Sequence, residues 1–196
     1  MPITIGKKPD RDFSNPLGLL SDCHRRIEQF LGVLIEATSQ AQGAQLNEDQ
    51  RNGVEAALKY FREASPKHTS DEEESLFPRM LESSDERARP AISRLDELHA
   101  DHEIADAAHA EVEALGNQWL SVGTLSSESI KRLRALLDQL QSTYEKHIAL
   151  EDHEIFPLAG QILSSADIAA VGQEMAARRA TKLRSLEPRE VPDAAP

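Results

Sequence analysis

The sequence predicts an all-α fold, and three observations carry that reading. Only 9 of its 196 residues are glycine and 4% are aromatic, while Ala, Leu, Glu and Arg, all good helix formers, are abundant. No stretch alternates β-branched and polar residues as a half-buried strand would. Apolar residues instead recur at helical spacing over long segments that are separated by turn signals.

Residues 1–14 carry mixed charge, turn-forming Pro2 and Pro9, and no apolar stripe, so they are expected to form an irregular arm. The first helix should open at "NPLGLL", with Asn15 as N-cap and Pro16 at the first helical position. Its stripe is Leu20, Ile27, Leu31 and Leu34, running to about residue 41, and "QGAQ" then makes a turn. Asn47 and Gln50 form a capping-box pattern ahead of Val54, Leu58 and Phe61 in the second helix. Pro66 should kink or restart that helix directly before His68, because proline removes a backbone hydrogen bond. The second helix should end near "FPRML", and "ESSDERARP" reads as a polar connection.

A third helix is expected from about Pro90 to Trp119, with Ile92, Leu95, Leu98, His102 and Val112 facing inward. "SVGTLSS" should break it, with Ser127 capping a fourth helix. The fourth stripe is Ile130, Leu133, Leu137, Leu140, Tyr144, His147, Glu151 and Ile155. Four such helices joined by short loops are expected to pack as an up-down-up-down bundle over residues 15–163. Residues 164–186 should add a short accessory helix across the outside or end of the bundle, and the proline-containing tail 187–196 is expected to be disordered.

Composition narrows the function classes. Cys23 is the single cysteine, so no intramolecular disulfide can form, and a lone thiol suits a reducing cytosol. No signal peptide or membrane-length apolar run is present, and the reading is a soluble cytoplasmic protein. A formal charge of -12 argues against nucleic acid and anionic membrane as partners and makes cations the expected ones.

The chain writes one phrase twice. "HTSDEEESLFP" at 68–78 and "HIALEDHEIFP" at 147–157 place His, Glu, Phe and Pro at the same offsets. Each phrase follows an earlier histidine, His24 at the end of "LSDCH" and His102 at the end of "LHADH", by 44 and 45 residues respectively. The arrangement describes two similar helical hairpins in tandem.

Residues four apart share a helix face, so His68 points with Glu72 and His147 with Glu151. Packed antiparallel, the two hairpins would bring four histidines and two carboxylates to the bundle axis, a site for two metal ions. Mixed imidazole and carboxylate donors suit iron, manganese or zinc better than calcium or magnesium. Two bridging glutamates with a hydroxide or oxide would offset repulsion between the ions and leave a position for oxygen, peroxide or nitric oxide. A single His-x-x-x-Glu is commonly a surface pair worth about 0.2–0.5 kcal/mol. Here both pairs lie on the apolar stripe and repeat with matching Phe-Pro, and six such groups buried without metal would leave several unpaired.

This ordered set resembles the hemerythrin-like HHE cation-binding domain over roughly residues 16–160. The resemblance implies a four-helix bundle with a non-haem di-iron centre, His24, His68, His102 and His147 as terminal ligands, and Glu72 and Glu151 as bridging carboxylates. The oxygen-carrying hemerythrins of marine invertebrates differ, with five histidines, His-x-x-x-His on the third helix and an aspartate on the fourth. This chain has His99 and His102 on its third helix and Glu151 on its fourth, so reversible oxygen carriage is not implied.

Several neighbouring residues admit two readings. His99 is either a fifth nitrogen ligand or an outer histidine; His109 packs in the core or lines an access channel; His153 and Glu74 fall outside the ligand set. Glu73 could accept a ligand histidine's N–H or lie on a solvated acidic face, and Asp101 is equally open. Tyr144 fills the core or hydrogen-bonds bound oxygen, while Cys23 is read as a small hydrophobe rather than a redox switch. Phe77 and Phe156 should seal the ends of the site, and Pro78 and Pro157 should end or bend their helices.

The expected function is a di-iron protein that binds or reacts with oxygen, peroxide or nitric oxide, in sensing, detoxification or iron handling. Peroxide dismutation and nitric oxide reduction are the candidate reactions, since neither needs an organic substrate pocket. The alternatives are a module that takes up and delivers iron for the repair of iron centres, and a structural bundle stabilised by zinc. The sequence contains no DNA-binding, kinase or ubiquitin-ligase module, so a signalling output would require a separate protein partner.

Overall fold

The structure, a computed structural model, describes residues 12–184, without the side chains of Ile92 and of 180–184. The expected arm is thus seen only from Asp12 onward, and the tail 187–196 lies outside the described residues.

Helix α1 (Pro16–Ala41) starts where the Asn15 side chain accepts the Gly18 N–H at 3.1 Å. Helix α2 (Glu48–Glu63) opens with the reciprocal capping box, in which Asn47 and Gln50 each accept the other's backbone N–H, at 2.8 and 3.0 Å. Pro66 does restart the chain, as α3 (Ser65–Asp71). The chain then widens into a π-helical turn, Glu72–Leu76, and continues as α4 (Phe77–Glu82).

Helix α5 (Arg89–Val122) overruns its expected bounds slightly at both ends and closes on Gly123 at φ 88°. Helix α6 (Ser127–Leu150) is capped by Ser126 rather than Ser127. Ser126 is the residue still in extended conformation, so its hydroxyl can accept the Ser129 N–H at 3.1 Å. A second π-helical turn, Glu151–Ile155, leads into α7 (Phe156–Ile162), and α8 (Ser165–Arg184) follows. Among the described residues there is no strand, and no helix is long and apolar enough to cross a membrane.

Helix α1 packs on α2 and α6, and α5 packs on α6 and α2, which closes a ring of four helical rods. The loops are tied at one end. Gly43, at φ 86°, accepts the Leu125 N–H at 2.8 Å, and a Cβ there would sit 3.0 Å from the Leu125 carbonyl oxygen. Close by, the Trp119 indole donates to the Ala44 carbonyl at 2.9 Å.

The rods bury two separate apolar clusters. One contains Ile27, Leu31, Val54, Phe61, Val112 and Leu137; the other contains Leu20, Leu76, Phe77, Leu98, Ile155 and Phe156. Each fully buried side chain of this kind stabilises by about 1.5–3 kcal/mol. The gap between the clusters holds a polar layer. Helix α8 is more than an external appendage: it packs on α1 and α3 and contributes fully buried Val171 and Met175 to the second cluster.

Candidate metal centre

The histidines of the polar layer continue apolar stripes. His24 sits between Leu20 and Ile27, His102 between Leu98 and Ala105, and all four neighbours are buried. His68 and His147 occupy the last turns of α3 and α6, and each glutamate of the repeated phrase starts a π turn.

Pro78 and Pro157 account for those turns. Each lies in the first turn of the helix that follows, where it has no N–H for the carbonyl four residues back and its ring crowds that carbonyl. Widening the turn by one residue relieves the crowding: the Phe77 N–H reaches the Glu72 carbonyl and the Phe156 N–H reaches that of Glu151. The prolines therefore widen their helices and do not end them. The repeated Phe-Pro shapes the turn whose first residue is the inward glutamate.

The structure brings all six sequence-predicted residues together, each buried. Donor atoms of His24, His68, Glu72 and Glu151 lie within 4.8 Å of one another, and so do those of Glu72, His102, His147 and Glu151. Both carboxylates belong to both groups. Nε2 of His68 and of His102 lie 3.3 and 3.4 Å from different oxygens of Glu72, so that carboxylate spans the two groups. Glu151 lies 3.0 Å from Nε2 of His24 and 3.2 Å from that of His147.

The opposite ring nitrogens face outward to carboxylates. Nδ1 of His102 is 2.8 Å from Glu73, Nδ1 of His24 is 3.0 Å from Asp152, and Nδ1 of His147 is 3.4 Å from Asp101. Glu73 and Asp152 are each the residue after an inward glutamate, and each reaches the first histidine of the other hairpin. Such contacts fix the ring and leave Nε2 bare toward the centre. Asp152 escaped the sequence reading, although its equivalence to Glu73 in the repeat was a usable signal. Nδ1 of His68 is buried without a hydrogen-bond partner, so the four histidines are not equally supported.

The remaining candidates fall outside the centre. His99 is 58% exposed and pairs with Glu73 at 2.7 Å. His153 turns its ring to the Ala149 carbonyl, and Glu74 meets Arg178. Phe156 stacks on the His24 ring, with centroids 5.4 Å apart. Cys23 is buried, and burial raises its thiol to about 11, which keeps it protonated and unreactive.

The layer is electrostatically incomplete. Burial raises Glu72 well above the usual carboxylate range, and the charge of Glu151 raises it further. Burial also opposes ionisation of Glu151, but the adjacent His147 and His24 rings outweigh it and lower that group. His24 shows the complementary effect: burial opposes its charge, yet Asp152 and Glu151 lift it to about 9. All four oxygens of Glu72 and Glu151, with Nε2 of His24, are buried without a well-aligned hydrogen bond. Orphaned donors of this chemistry, arranged around one centre, fit metal cations.

Beside the four histidines is a small cavity of about 10 Å³, roughly the space one water molecule needs. Thr69, Asp106 and Tyr144 line it as well.

A helical bundle with a buried His₄Glu₂ layer, two histidine pairs sharing both carboxylates, defines a class of cation-binding proteins. The family description "Hemerythrin HHE cation binding domain" matches residues 15–160, and the chain belongs to that family. It is also similar to an uncharacterized protein of Haemophilus influenzae, at 27% identity over 175 residues, covering 87% of this chain and 93% of the relative.

Proposed function

We propose that the chain is a non-haem di-iron protein that binds or reacts with oxygen, peroxide or nitric oxide. His24 and His68 would hold one ion and His102 and His147 the other, with Glu72 and Glu151 bridging both. The observation that carries this reading is that both carboxylates are shared between the two donor groups. A single ion would use one group and leave the other histidine pair buried and idle.

A bound iron pair would supply electrons and open coordination positions. The protein's own part is charge and space. Two shared carboxylates offset repulsion between like cations, outer carboxylates aim the histidines, and the small cavity suits a ligand about the size of a water molecule. Sensing or detoxification of such a ligand fits this geometry, and turnover would take the form of peroxide dismutation or nitric oxide reduction. The same donors would accept manganese or zinc.

The test is metal content per chain after expression in iron-replete cells, with visible spectra before and after peroxide. Two irons and a responsive band are expected, and both should be lost in Glu72→Ala and in Glu151→Ala. Two irons with unchanged spectra in either variant would overturn the bridging assignment. A colourless protein holding one tight zinc would favour the structural bundle, and rapid iron loss to a mild chelator would favour iron delivery.

A further inference from the structure

Tyr144 stands where the polar layer meets the first apolar cluster. It lines the small cavity together with the four histidines and is itself buried. Its hydroxyl lies 2.9 Å from Nε2 of His109, and burial raises the phenol while the nearby Ser65 hydroxyl opposes that rise. The His109 ring is pinned by Phe61, which stacks on it with centroids 4.2 Å apart.

The protonation of His109 decides what Tyr144 can do. Burial lowers His109 to about 4, so the ring is neutral near pH 7 and carries one proton. Its Nδ1 is buried with no hydrogen-bond partner. A proton there would be an orphaned N–H donor, while a proton on Nε2 leaves only a bare lone pair. Orphaned buried donors are the rarer and costlier case. The Nε2 proton therefore points at the Tyr144 oxygen. That oxygen is then an acceptor for His109, and its own proton is left for another acceptor, a ligand in the cavity or the nearby Ser65 hydroxyl.

We propose that His109 holds Tyr144 as a hydrogen-bond donor to the small ligand in the cavity, biasing the site toward anionic, lone-pair-bearing ligands. Tyr144 is a ligand-binding residue in this scheme and His109 a positioning residue. The proposal rests on the di-iron reading for the identity of the site, but its hydrogen-bond direction can be measured without metal.

Two measurements test it on the full chain. Long-range proton–nitrogen NMR of the metal-free protein should show His109 as the Nε2–H tautomer. An Nδ1–H tautomer would overturn the proposal whatever metal is bound. Fluoride, a one-atom anion that fits the cavity, is then titrated into the iron-loaded protein and followed by its visible spectrum. Tyr144→Phe should keep wild-type iron content and bind fluoride about tenfold more weakly, the loss of one charge-assisted hydrogen bond. His109→Gln, which retains a donor, should lie between the two. Equal fluoride affinity in wild type and Tyr144→Phe at equal iron content would overturn this proposal alone. A wild-type chain without an iron pair would overturn the di-iron reading as well, and metal analysis reveals that before fluoride is added.

Discussion

Asp152 holds Nδ1 of His24 at 3.0 Å across the two hairpins, and the contact is built twice, since Glu73 holds His102 at 2.8 Å. In each case a residue adjacent to an inward glutamate orients a histidine of the other hairpin. Assembly of the centre is thereby coupled to the docking of the hairpins.

Removing an outer carboxylate should weaken metal binding without unfolding the bundle. Asp152→Ala is expected to cost about 10–100-fold in affinity, the usual effect of losing such a partner. Glu73→Ala should do the same through His102. Chelator competition measures both, and circular dichroism should show unchanged helix content. Wild-type affinity in either variant would mean the ring needs no support.

Helix α8 is latched to the residue before Glu72. Asp71 is fully buried and paired with Arg178 at 2.9 Å and Arg179 at 2.7 Å. Replacing both arginines with alanine leaves a buried carboxylate without its cations, which costs up to about 3–5 kcal/mol. The arginines are partly exposed, so the lower end is expected. Urea unfolding of the double variant should show a lowered midpoint, and a midpoint equal to wild type would contradict the latch.

His109 makes stability depend on pH. An unfolded histidine takes up its proton near pH 6.5, whereas the folded one stays neutral down to about 4. Between those values the unfolded chain binds more protons, so stability falls as pH drops through the window. At pH 5 the loss should be about 2 kcal/mol. In chelator-treated protein, His109→Gln should lose less stability than wild type between pH 7.5 and pH 5. Parallel pH profiles would refute this.

Gly172 lets the chain ahead of α1 cross α8. A Cβ at that position would fall 2.0 Å from the Phe13 carbonyl oxygen. Alanine normally improves a helix interior by roughly 0.5–1 kcal/mol relative to glycine. Here Gly172→Ala should instead displace Phe13, which contacts Arg179. Faster chymotryptic cleavage at Phe13 is the expected result, and an unchanged cleavage rate would show that the crossing tolerates the methyl group.

The helical class, the stripes from Leu20 to Ile155, the capping box at Asn47 and the restart at Pro66 were legible in the sequence because each depends on neighbours within one or two turns. The six candidate donors were legible for a related reason: their spacing repeats, and polar residues on an apolar stripe stand out. What only the tertiary structure decided lies between segments far apart in the chain. Asp152 reaches His24, Tyr144 meets His109, and α8 brings Arg178 and Arg179 onto Asp71. The choice of Glu73 as a histidine's partner over a solvated residue was settled in the same way. Local periodicity sets which face a side chain takes, but only packing of distant helices sets which group it meets there, because that partner is chosen by burial and charge across the bundle.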